Sequence, residues 1–110
     1  MMKPPTTDRA HHGLALPRER LAEFCRRHHV KRLSLFGSIL RDDFTAASDV
    51  DVLVEFEAGH TVDFFTLFDM EEELSDMLGG RRVEINTPPS LSQFFRDEVL
   101  TEAEVQYAQP

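Results

Sequence analysis

Gly37-Ser38 is followed, after ten intervening residues, by Asp49-Val50-Asp51, and a further acid, Glu84, stands in a later apolar segment. Side chains alternate across an extended strand, so Asp49 and Asp51 share a face with their carboxylates roughly 6.5 Å apart. Like charges held in that way repel, and a divalent cation relieves the repulsion. Magnesium takes a few carboxylate oxygens at about 2.0–2.1 Å and leaves positions for phosphate oxygens. A pair of metals about 3.5–4 Å apart could be held by the two aspartates together with a third carboxylate. Glycine lets a backbone approach a phosphate closely, and the amides at a following helix start favour anions. Arg41, one turn further on, could neutralise a phosphate. An amphipathic strand with a solvated acidic side accounts equally well for the two aspartates taken alone.

The elements that must position these residues are legible from periodicity. Leu16-Pro17 opens a helix whose buried face carries Leu21, Phe24, Cys25 and His28. Val30 to Phe36 alternates as a first strand with Leu33 and Leu35 on one side, and Ser38 to Phe44 is expected as a short helix. Asp49 to Phe56 is a second strand whose apolar strip is Val50, Val52, Val54 and Phe56. Asp63 is expected to cap a helix running to about Leu78, ended by Gly79-Gly80. Arg82 to Asn86 is a third strand. With Val83 and Ile85 turned to the core, parity places Glu84 beside Asp49 and Asp51, provided the strands are neighbours. Ser90 is expected to cap a last helix with Leu91, Phe95, Val99 and Ala103 along one stripe. The sum is a small α/β domain: a mixed sheet of three or more strands with helices packed on one face.

Composition narrows the function. The 110 residues make one domain, expected over 16–110, behind a loosely ordered tail over 1–15 that contains His11 and His12. A net charge of −8 with scattered Lys and Arg argues against direct nucleic-acid binding and for a metal ion or a basic protein surface. No segment is apolar enough for a membrane span or an export signal. The single cysteine, Cys25, excludes an internal disulfide, fits a reducing cytoplasm and reads as a core residue. His28, His29 and His60 have no ligand-like spacing to the carboxylates and are given no role.

Leu35-Phe36-Gly37-Ser38, ten residues, then Asp49-Val50-Asp51-Val52-Leu53-Val54 resembles the G-S-x(10)-D-x-D signature of the minimal nucleotidyltransferases of the DNA polymerase β-like superfamily. The resemblance spans roughly residues 17 to 107. It implies the small nucleotidyltransferase fold, with Gly37, Ser38, Arg41 and Ser48 at the nucleotide. It also implies Asp49, Asp51 and Glu84 as the catalytic, magnesium-binding acids, with ATP as substrate. Glu84 stands where the family usually has a third aspartate, and Asp42 where it often has glycine. Domains of this kind typically accompany a HEPN-domain ribonuclease toxin. The implied function is that of a type VII-like antitoxin, transferring AMP to a tyrosine hydroxyl of the toxin. A degenerate domain that neutralises the toxin by occlusion is the alternative, with Phe94, Leu100 and Tyr107 as contacts. Aminoglycoside-modifying adenylyltransferases resemble it too, but carry an extra substrate domain for which 110 residues leave no room.

Overall fold

The computed structural model describes Leu14 and residues 16–110. Apart from Leu14, which packs against the core, the expected tail with His11 and His12 lies outside the described residues. Helix α1 (Arg18–Arg27) starts after Pro17 and buries Leu21, Phe24 and Cys25. Strand β1 (Val30–Phe36) pairs antiparallel with β2 (Val50–Phe56), so the chain between them must reverse direction. Helix α2 (Phe64–Met77) carries the crossover to β3 (Val83–Asn86), which runs parallel to β2. A parallel pair cannot be joined by a tight turn, and a helix is the usual bridge. Helix α3 (Arg96–Glu102) and β4 (Glu104–Ala108) complete a four-stranded mixed sheet of order β3-β2-β1-β4.

The core lies between this sheet and the first two helices. Val30, Leu33, Leu35, Val50, Val52 and Val54 meet Leu21, Phe24, Met70 and Leu74, all in one buried cluster. Cys25 belongs to it, and burial pushes its thiol up to about 12, so it stays a neutral core group. Asp63 caps α2 as its sequence predicts, accepting a hydrogen bond from the Thr66 amide at 2.8 Å. Outside the core, Arg27 and His28 of the α1 end hold Glu73 of α2 at 2.7 and 2.9 Å. The Arg27 hydrogen bond, with a smaller one from His28, holds the Glu73 carboxyl below its usual range.

Two expectations are corrected. The segment after β1 is not an α-helix to Phe44. It is a single 3-10 turn, Gly37–Leu40, closed by Arg41 N–H to Ser38 O at 2.9 Å, after which the chain extends. Phe44, beyond that stretch, is buried in the core. The last helix does not begin at Ser90. Thr87 and Ser90 cap a separate 3-10 turn, Pro88–Ser90, and α3 starts only at Arg96 and buries no residue. Beyond the elements expected, residues 104–108 form a further strand, β4, against β1, with Leu33 opposite Tyr107. The second face of the sheet is also less open than its acidic pattern suggests, since Leu53 and its β1 partner Ser34 are both buried.

Candidate active site

Strand register brings the predicted acids together. Asp51 pairs with Glu84 and Val50 with Val83 across β2 and β3, so Glu84 lies beside Asp51 on the face opposite the core. Asp49, immediately before β2, has the same parity. Asp51 is half-buried, and burial pushes its carboxyl up to about 6, reinforced by the charges of Glu84 and then Asp49 and opposed by Arg41. The three acids therefore form one electrostatic unit at the head of β2. Asp49 also faces Arg82, whose Nη1 lies 3.8 Å from its Oδ1 on an exposed surface.

Gly37 is the counterpart of this carboxylate cluster. Its φ of +78° is a conformation L side chains rarely adopt, and a Cβ placed there would stand 2.5 Å from Asp51 Oδ2. The glycine is thus what lets the β1 exit turn touch the Asp51 carboxylate. Arg41 and Asp51 border one cavity of about 350 Å³ together with Gly37, Phe95, Glu98 and Val99. Asp49 and Glu84 border a neighbouring one of about 370 Å³ with Glu71, Phe68 and Arg82.

Ser48 does not point its hydroxyl out of its own turn. Its Oγ accepts the Thr45 amide at 2.9 Å, and its carbonyl accepts Arg81 Nη2 at 3.0 Å. Arg81 also donates to Thr45 O at 2.8 Å and lies 4.6 Å over the Phe44 ring. This one cation therefore fixes the loop that delivers Asp49. Ser38 contributes its carbonyl to the turn that presents Gly37.

Sequence reasoning passed over Arg81, Arg82 and Glu71. Arg82 shares the parity of Glu84, and the same alternation that singled out the acid points to it. Arg81 has no such signal, because its partners are backbone carbonyls more than thirty residues away. Glu71 accepts the outward amide of Ile85 at 2.7 Å, a bond that depends on α2 docking beside edge strand β3.

The donor set suits a hard divalent cation. Three carboxylates share one face, and burial first, then the charges of Glu84 and Asp49, raises the Asp51 carboxyl; a cation would offset the charge part.

The family model described as "Nucleotidyltransferase domain" matches residues 18–105. The chain is 38% identical to the "Putative protein adenylyltransferase MJ0435" of Methanocaldococcus jannaschii, over 70% of this chain and 80% of that protein. Among solved structures, a "putative minimal nucleotidyltransferase" is 36% identical with a TM-score of 0.63, over 78% of this chain and 85% of that one. A toxin-antitoxin crystallised with AMP-PNP shares the fold, with a TM-score of 0.67 at 19% identity, over 86% of this chain and 75% of that one. The family match spans all three acids and the Gly37 turn, and the chain belongs to the nucleotidyltransferase domain family of enzymes.

Proposed function

We propose that this enzyme transfers AMP from ATP to a tyrosine hydroxyl of a cognate HEPN-domain ribonuclease toxin and thereby acts as its antitoxin. The observation that carries the reading is the carboxylate triad in register beside a left-handed glycine. The name of the methanogen relative and the toxin-antitoxin neighbour with AMP-PNP support its nucleotide and its partner.

In the reaction, the tyrosine oxygen attacks the α-phosphorus and the bond to the bridging oxygen of the β-phosphate breaks. AMP remains on tyrosine and pyrophosphate leaves. Asp49 and Asp51, with Glu84, would hold magnesium, which when bound stabilises charge on the triphosphate. Glu84, more exposed than either aspartate, is assigned the proton of the incoming hydroxyl. Gly37 and Ser38 give the triphosphate a backbone surface without a side-chain obstacle, and Arg41 and Arg82 supply positive charge at its rim.

The test mixes the purified chain, its HEPN partner, magnesium and ATP labelled at the α-phosphate. Label is expected on a partner tyrosine and to fall at least a hundredfold in Asp49→Ala/Asp51→Ala. Absence of transfer, or transfer undiminished in that variant, overturns the reading.

One observation favours neutralisation by occlusion as the second reading. Phe64, Phe65 and Phe94 are each more than 80% exposed, an unusual apolar presentation on an acidic domain. Tyr107 packs against the core from β4, which leaves Phe94 and the exposed Leu100 as the predicted contacts still at the surface. If Asp49→Ala/Asp51→Ala still protects cells from the toxin, occlusion replaces chemistry.

A further inference from the structure

At the far end of β2 from the acids, His29, Glu57 and His60 converge. Six residue steps of extended chain lead from Asp51 to Glu57, roughly 20 Å. The three side chains each offer one ligand atom, and these atoms all lie within 4.8 Å of one another. His29 Nδ1 is 3.8 Å and His60 Nε2 is 3.9 Å from the same oxygen, Glu57 Oε1. The two imidazoles stack with centroids 3.9 Å apart and planes 9° from parallel. We propose that His29, Glu57 and His60 form a second metal site, chemically distinct from the carboxylate triad, that takes a borderline divalent transition ion, zinc foremost.

The backbone holds the three positions together independently of their side chains. His29 leaves α1 with φ +56°, an unusual conformation for a side chain of this size. Its carbonyl accepts the Glu57 amide at 2.9 Å, and the Glu57 carbonyl accepts the His60 amide at 3.0 Å. Glu57 is also oriented from behind. Gln109, whose amide is tied to Lys31 O at 2.9 Å, donates its side chain to Glu57 Oε2 and leaves Oε1 to the histidines. A ligating carboxylate is commonly steered by such an outer hydrogen bond.

Ligand atoms around a tetrahedral zinc, with bonds of about 2.0–2.1 Å, stand roughly 3.3 Å apart. The observed separations therefore need to close by about 0.5–1.5 Å on that geometry. The side chains of His29, His60 and Glu57 are 52%, 43% and 34% exposed, so the stacked rings are free to splay toward a common ion. Two imidazoles and one carboxylate suit zinc, nickel or copper over magnesium, and leave a position for water. The acids at the other end of β2 have the opposite preference.

Zinc titration calorimetry tests the site. It uses the full chain carrying Asp49→Asn/Asp51→Asn and His11→Ala/His12→Ala, with excess magnesium, so that neither the triad nor the terminal histidines contribute. One zinc per chain is expected, with a rise in melting temperature. Glu57→Gln should weaken binding at least tenfold, and His29→Asn/His60→Ala should abolish stoichiometric uptake. Asparagine is chosen at position 29 because it tolerates positive φ. No zinc uptake by the background protein, or uptake unchanged in His29→Asn/His60→Ala, overturns the proposal. Neither result depends on AMP transfer, so it stands or falls apart from the proposed reaction.

Discussion

Gly37 and Asp51 are a matched pair, and the match shows why a glycine so early in the motif matters. Any side chain at position 37 would have to adopt φ +78° and displace the Asp51 carboxylate from a Cβ 2.5 Å away. The conformational part costs on the order of 1–2 kcal/mol. The displacement acts on the site itself. Gly37→Ala is therefore expected to lower AMP transfer more than tenfold while lowering the melting temperature by only several degrees. Assay of transfer beside thermal unfolding checks this, and unaltered transfer would remove Gly37 from the site. The placement of the acids is legible in the sequence: D-x-D spacing and strand parity together single out Glu84, and it pairs with Asp51 across β2 and β3. The missing information was contact through backbone, which is why Arg81 left no trace in the pattern.

Among the elements, the loop from Arg41 to Asp49 is the one whose order is least guaranteed by local sequence. Arg81 supplies it from outside, through two carbonyl bonds and the Phe44 face. Hydrogen bonds from a charged group contribute about 1.5–3 kcal/mol. Arg81→Ala should then lower stability by about that amount, and in a domain of this size the melting temperature by about 10 °C. Raised KM for ATP should accompany it, since the loop delivers Asp49. Melting curves and ATP kinetics of the variant, compared with Arg81→Lys, measure both. Elements with their own signal were predictable: β1, the Asp63-capped α2 and the strip of β2. The end of the chain was not. Leu91, Phe95, Val99 and Ala103 imitate a helical stripe, whereas β4 is five residues long and exists through pairing with a strand some seventy positions earlier.

For the whole molecule, the raised Asp51 carboxyl couples folding to pH. Its ordinary value is 3.8 and its folded value about 6, so the fold favours the protonated acid. That contribution is complete below 3.8, declines as pH rises toward 6, and is absent above. Asp51→Asn should consequently melt higher than the parent at pH 7.5, with the difference shrinking toward pH 4. Magnesium should raise the melting temperature of the parent at pH 7.5, and much less at pH 5 or in Asp51→Asn. Scanning fluorimetry across pH with and without magnesium reads each shift, and a difference constant with pH would contradict the coupling. No helix among the described residues is long and apolar enough to cross a membrane, and the net charge of −8 keeps the surface acidic.

The bond from Ile85 to Glu71 also bears on how the protein behaves in concentrated solution. β3 is an edge strand, and edges with open amides template the addition of foreign strands. Glu71 occupies the Ile85 amide from α2. One carboxylate on a helix thus closes that amide to a foreign strand, and Glu71→Ala is expected to shorten the time the protein stays dispersed in a light-scattering time course.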